Sequence, residues 1–296
     1  MKTCALILCS LACALPVVRA VDSAAYSKEI ETWRAQRVAR LTAPDSWLSL
    51  IGLHFLKAGD NSVGSAKDND LVLAKGPAHL GTISLGEHDR IAISLRADAD
   101  ARIDGRAILT GELFWQAGKP TQVAAGTVSF FVIDRGGKKA LRVKDRESER
   151  RTKFVGLDYF PVDPAWRLEA KWVEFDEPRR VPITNVLGQT SPAIVRGKAV
   201  FERDGKTFEL LPIDEGPGEP LFFVISDTTS GNETYGAARF VYADAPEGDK
   251  VILDFNRAEN PPCAFTPFAT CPLPPKENRL PFAVTAGEKN YRGESH

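Results

Sequence analysis

The chain is poor in the residues that perform most catalytic and metal chemistry. Its 296 residues include four histidines and one methionine, and no histidine falls between positions 160 and 295. No H-E-x-x-H zinc helix, G-x-S-x-G nucleophile elbow, Walker A loop or dinucleotide glycine fingerprint is present. No metal and no cofactor is therefore expected. Charge of one sign is also lacking: 38 Lys and Arg face 39 Asp and Glu, for a formal charge of −1. A duplex nucleic-acid binder needs a concentrated basic face to displace counterions. The most basic run, 138–151, is interleaved with Asp145, Glu147 and Glu149 and reads as a solvated strand and turn. No nucleic-acid partner is expected. After the first twenty residues no apolar run approaches the roughly 20 residues a bilayer-spanning helix needs, so no transmembrane segment is expected.

What is present begins with an export signal at residues 1–20. Lys2 precedes an apolar run from Ala5 to Val18, and Val18-Arg19-Ala20 places small residues where a signal peptidase reads them. Ser10-Leu11-Ala12-Cys13 is a poorer lipoprotein signal, because Ser10 stands where a branched apolar residue belongs. Cleavage near Ala20 predicts a periplasmic or secreted protein. It also removes Cys4, Cys9 and Cys13, leaving Cys263 and Cys271.

Residues 21–47 form a helix and its lead-out: Asp22 or Ser23 can cap it, Ile30, Trp33, Val38 and Leu41 share a face, and Pro44 stops it. Helical periodicity then ends. Short Val-, Ile-, Leu- and Phe-rich runs at 70–73, 82–85, 90–95, 107–109 and 128–134 are separated by Gly, Asp and Pro clusters, the spacing of a β-sandwich or barrel. Across 48–150, "LKAGDNSVGSAKDNDLVLAKGPAHLGTISL", "ARIDGRAIL" and "GTVSFFVIDRGGKKALRVKD" resemble the strand layout of a forkhead-associated (FHA) domain. That resemblance implies a β-sandwich. Phosphothreonine peptides are not expected as partners, because Ser65 follows Val63-Gly64 where an Arg is needed, and no serine stands three residues before His79.

The stretch "ESERRTKFVGLDYFPVDPAW", residues 147–166, reads as a linker that packs through Phe154, Tyr159, Phe160 and Trp166. Residues 151–296 then predict a second antiparallel β-sandwich or barrel packed against the first. Its expected strands are 167–175, 180–185, 192–196, 198–203 and 207–212, with Asp204-Gly205 as a hairpin turn. The fold class is mainly β with one N-terminal helix.

Two segments of the second half are dense in polar groups. "SDTTSGNETYGAARF" carries Asp227, Thr228, Thr229, Ser230, Tyr235 and Arg239; "DFNRAENPPC" carries Asp254, Asn256, Arg257, Glu259 and Asn260. If 223–227, 239–243 and 251–255 are consecutive antiparallel strands, Asp227, Arg239 and Asp254 meet at adjacent strand ends. A pocket floored by Phe255, Phe265 and Phe268 would follow, with Arg239 able to hold an anion. The plainer alternative is Asx turns and a satisfied ion pair. Glu288 and Lys289 in "AGEKNY" either close that pocket or pair with each other. His54 reads as a core or linker histidine, and His88 lies in a charged turn. Beside these segments, "NPPCAFTPFATCPLPP" packs six prolines and both remaining cysteines into residues 260–275. In an exported chain, thiols so spaced most often form a disulfide, here Cys263–Cys271.

The stretches "PDSWLSLIGLHFLKAGDNSVGS", "LRVKDRESERR", "YFPVDPAWRLEA", "DTTSGNETYGAARFVYA" and "DFNRAENPPCAFTPFATCPLPPKENRLPFAVTAGEKNY" together resemble the DUF1684 family. The resemblance implies a structural unit and no activity. Two functions remain open. One is binding of a small polar or anionic ligand by Asp227, Thr228, Ser230, Tyr235, Arg239, Asp254, Asn256, Asn260 and Lys289. The other is a hydrolase-type enzyme with Asp227 or Asp254 as base, Arg239 as anion stabiliser and Cys263 as a candidate nucleophile.

Overall fold

The computed structural model describes residues 23–116 and 118–293; the export signal expected at 1–20 lies outside them. Helix α1 spans Ser23–Leu41 and buries Tyr26, Ile30, Arg37 and Leu41. Trp33 and Val38, expected on the same face, are only half-buried. Tyr26 and Arg37 occupy the buried stripe because the surface beneath them is polar.

Ten strands follow: β1 (Leu50–Phe55), β2 (Gly59–Gly64), β3 (Leu71–Val72), β4 (Gly81–Leu85), β5 (Ile91–Leu95), β6 (Ala101–Ile103), β7 (Thr110–Glu112), β8 (Val123–Ala125), β9 (Val128–Arg135) and β10 (Lys138–Asp145). They form two five-stranded sheets, ordered β1-β10-β9-β8-β6 and β3-β2-β4-β5-β7. One core joins them: Val63, Ile83 and Ile93 of one sheet pack with Phe130, Val132, Leu141 and Val143 of the other. β5 shows why, since Ile91, Ile93 and Leu95 point inward while Ala92 and Ser94 are exposed.

Strand β2 has no such alternation, and a buried side chain organises it instead. Asn61 accepts from the Lys57 N–H at 2.9 Å and donates to the carbonyls of Lys57, Gly59 and Ile83. The strand expected at 107–109 forms three residues later. There the Leu109 carbonyl accepts from Leu95 N–H, while Ile108 and Leu109 stay exposed.

The short helix α2 (Glu149–Thr152) leads to β11 (Arg167–Thr184), β12 (Thr190–Arg203), β13 (Lys206–Leu210), β14 (Leu221–Ile225), β15 (Arg239–Ala243) and β16 (Lys250–Asp254). β11 runs through the Pro178 region where two strands were expected, absorbing it as an irregularity between Glu174 and Arg179. Asp204 and Gly205 have φ of 51° and 70°, as the β12–β13 hairpin requires.

The second half deviates from consecutive antiparallel order. β14 and β15 pair as a two-stranded sheet, whereas β16 joins β11 in a four-stranded sheet ordered β13-β12-β11-β16. Asp254 therefore leaves its strand beside Arg167, its partner on β11, and not beside Asp227. The core of this half is Trp166, Phe201, Phe223, Val241, Leu253, Phe255 and Val284 with their neighbours, separate from that of the sandwich.

Candidate functional site

The polar residues singled out from the sequence divide into two groups. The first is enclosed. Arg239 is 1% exposed; its Nη2 donates to Asp227 Oδ2 at 2.7 Å and to the Val284 carbonyl at 2.9 Å, and its Nη1 donates to the Ala286 carbonyl. Asp227 Oδ1 accepts from the Thr229 N–H, the Thr229 hydroxyl and the Val284 N–H. Burial pushes the Arg239 guanidinium down, and Asp227 is the main charge resisting that shift. Arg239 Nε is left without a partner, but both side chains are sealed from solvent, so the pair presents no open face to an anion. It ties the 227–239 hairpin to the C-terminal segment.

Other expected ligand groups are similarly engaged. Asn260 takes the Lys289 carbonyl, Tyr235 donates to the Cys263 carbonyl, and Ser230 accepts from the Asp227 N–H. Thr228 is exposed, and Lys289 lies over the Phe160 ring. Glu288 pairs with neither solvent nor Lys289: it is fully buried and takes Arg37 Nε at 2.9 Å and the Asn260 N–H at 2.7 Å. The expected phenylalanine floor is also dispersed. Phe255 belongs to the second core, Phe265 packs with Leu41 and Leu48, and Phe268 is half-buried near Arg150.

Cys263 and Cys271 are free thiols here, both buried, so the expected disulfide is not formed. They are nonetheless adjacent, the Cys263 N–H donating to Cys271 Sγ at 3.2 Å. His54 is half-buried on β1, and burial lowers its pKa. Among the described residues no group of three or more His, Cys, Asp or Glu is placed to hold a metal ion.

The second group opens onto a cleft. A cavity of about 800 Å³ lies between α1 and the edge formed by β11, β15 and β16. Trp33 of α1 and Tyr242 of β15 line it, with Asp254 from the end of β16, Arg257 and Glu259 from the segment after it and Arg167 from β11. Asp254 Oδ1 accepts from the Tyr26 hydroxyl at 2.7 Å and from the Asn256 N–H at 3.1 Å. Its Oδ2 has no hydrogen-bond partner, although Arg257 Nε stands 3.3 Å away. Burial raises the Asp254 pKa, against the opposing pull of Tyr26 and Arg257. Burial raises Glu259 as well, even with Arg37 Nε 3.3 Å from its Oε2.

Beneath the cleft, Asn256 fastens the linker. Its Oδ1 accepts from the Asp163 N–H and its Nδ2 donates to the Asp163 carbonyl and the Tyr26 hydroxyl. Tyr26, Trp33 and Arg37 were not among the expected site residues. The available signal was their spacing of seven and four, which places polar-tipped side chains along one helix stripe.

The whole is a mainly β protein of two sheet-built halves, whose N-terminal helix closes one wall of a cleft on the second half. Residues 152–289 match the family DUF1684, described as a protein of unknown function, and the chain belongs to that family. The matched segment contains the Arg239–Asp227 pair and most of the cleft, but not α1. Among solved structures, the chain is similar to the solution NMR structure of an uncharacterized protein of Haloarcula marismortui, at 32% identity over 49% of this chain and 81% of that one, with a TM-score of 0.41. No curated protein matches the chain.

Proposed function

We propose that this is an exported binding protein whose cleft takes a small, uncharged, hydroxyl-rich ligand. The carrying observation is the combination of Trp33 and Tyr242 with Asp254 and Glu259, whose pKa values burial raises, in one cavity of about 800 Å³. That volume suits a small molecule, and aromatic faces with a few fixed polar groups are the usual composition of such sites. Carboxylates and three arginines, Arg40, Arg167 and Arg257, offer acceptors and donors to hydroxyls, and the rings offer an apolar platform. Six acidic side chains line the cavity, namely Glu29, Glu169, Asp244, Glu247, Asp254 and Glu259. Four basic side chains, Arg40, Arg167, Lys250 and Arg257, line it too, so the acids exceed them by only two, a balance that favours an uncharged ligand over an anion. The leader at residues 1–20 supports export, and in an oxidising compartment the adjacent thiols Cys263 and Cys271 would close to a disulfide.

Saturation-transfer NMR of the mature protein against neutral mono- and oligosaccharides tests this. Saturable binding that Trp33→Ala and Tyr242→Ala each weaken about tenfold, of the order expected for loss of one stacking ring, is the expected result. Binding indifferent to both substitutions, or none across the panel, overturns it.

The raised pKa values of Asp254 and Glu259 favour one second reading, a hydrolase using them as acid and base. It predicts product formation from a bound oligosaccharide, abolished in Asp254→Asn while binding persists.

A further inference from the structure

The outer face of the sandwich sheet carries cations with no carboxylate opposite them in the sheet, and only Lys144, near Asp45, has a facing acid among the groups that shift its pKa. Directly opposed residues of antiparallel strands share a face, and the register sets Leu53, Arg142 and Phe131 in one row, Lys144 with Ser129, Ala140 with Ile133, and Lys138 with Arg135. Those rows contain four cations and no carboxylate. The opposite face treats its lysine differently: Lys139 Nζ lies 2.7 Å from Asp134 and 2.9 Å from Asp89.

Arg135 and Arg142 are half-buried, and neither forms an ion pair among the described residues. Arg135 Nε and Nη2 and Arg142 Nε are enclosed without hydrogen-bond partners. Burial lowers both guanidiniums, Arg142 to about 10, and Arg135 adds repulsion to Arg142. Arg142 lies over the Trp47 ring, 5.1 Å from its centroid, and Lys144 Nζ is 5.5 Å from the Phe131 centroid while donating to the Asp45 carbonyl. The face stays open at its edge, where Phe55 is 46% and Trp47 36% exposed. At its other end, Gly136 abuts Gln189 of the turn whose Val186 N–H donates to the Cys271 carbonyl.

Enclosed N–H groups of charged side chains are costly when unmet. Two guanidiniums that share no carboxylate and repel each other gain most from a multiply charged oxyanion, which accepts several N–H bonds at once. We propose that Arg135 and Arg142, with Lys144 beside them, form a binding site for a dianionic oxyanion such as a phosphate or sulfate group. This site is separate from the cleft, so the fate of either leaves the other untouched.

The test is calorimetric titration of the mature protein with inorganic phosphate and with sulfate, against sodium chloride at equal ionic strength. One-to-one saturation by the dianions and none by chloride is expected. Arg135→Gln and Arg142→Gln should each weaken it at least tenfold, and Arg102→Gln, exposed on the far strand of the same sheet, less than twofold. Without phosphate, Arg142→Gln should melt at or above the parent temperature, because it removes an unmet charge. Equal heats from chloride and phosphate, or a phosphate-free Arg142→Gln that melts well below the parent, would overturn the proposal. A sulfated disaccharide binding a hundredfold more tightly than inorganic sulfate would uphold the site and assign the group to a larger molecule; equal affinity would uphold it for the free ion.

Discussion

Arg239 Nη2 stands 2.7 Å from Asp227 Oδ2 with both side chains sealed from solvent. Asp227 also takes Thr229 and the Val284 N–H, and the two Nη atoms of Arg239 reach the Val284 and Ala286 carbonyls, while its Nε is enclosed without a partner. A sequence that brings an arginine, an aspartate and three small polar residues into one hairpin suggests a ligand site. The same residues here fasten one hairpin to the last segment of the chain.

Removing either partner leaves a buried charge unmatched. Asp227→Ala and Arg239→Ala are each expected to cost about 3–5 kcal/mol. Arg239→Lys should also destabilise, because an ammonium cannot reach a carboxylate and two carbonyls with a planar fork. Urea unfolding measures this; a loss below 1 kcal/mol in both alanine variants would mean the pair is not a structural staple.

Arg37 makes the corresponding connection for α1, since it alone links the helix to the fully buried Glu288 carboxylate. Arg37→Ala is expected to cost about 3 kcal/mol and to release α1 to proteolysis ahead of the β-sheets. Arg40, with a half-exposed side chain 3.6 Å from Glu259, should cost less than about 1 kcal/mol as alanine. Equal protease resistance of the Arg37→Ala and Arg40→Ala proteins would show that Arg37 is not what fastens α1, leaving its apolar residues and the Tyr26 hydrogen bonds to hold it.

The β-rich class was legible because inward-facing positions such as Ile91, Ile93 and Leu95 alternate with polar neighbours, and because Asp204-Gly205 marks a hairpin. β2 was not legible, since Asn61 organises it by hydrogen bonds to distant carbonyls and no apolar period records that. The order of the last three strands was hidden for a related reason. β15 and β16 are both short apolar runs of five residues, and nothing in either records that β16 pairs with β11 while β15 pairs with β14. Asp254 was expected as a site residue from its own segment, but its hydrogen-bond partner Tyr26 comes from a helix more than two hundred residues earlier, which no local pattern records.

The two thiols give a prediction that depends on compartment. Closing the nine-residue loop from Cys263 to Cys271 contributes about 2.6 kcal/mol in the chain-entropy model. Protein recovered after export should show no free thiol when denatured without reductant, and a mass two hydrogens below the reduced chain. Two titratable thiols would mean that the unbonded arrangement persists after export. Native reduced protein should react at least tenfold more slowly with a thiol reagent than denatured protein, since both sulfurs are buried.

Asp254 supplies the pH dependence. Burial dominates its surroundings and raises its folded pKa above the usual carboxylate range. A group raised on folding contributes stability that is full below the unfolded pKa and is lost as pH rises through the folded pKa. Asp254→Asn cannot ionise and escapes that loss, although it gives up part of the bond from Tyr26. The variant should therefore stand lowest against the parent at the acid end and gain on it as pH rises through the folded pKa of Asp254, then level off; Glu259→Gln, raised for the same reason, should move in the same direction. Melting curves of parent and variants from pH 4 to 8 decide this. A difference constant across that range would mean that neither carboxylate is held in its protonated form by the cleft, and the acid–base reading of the site would fall with it.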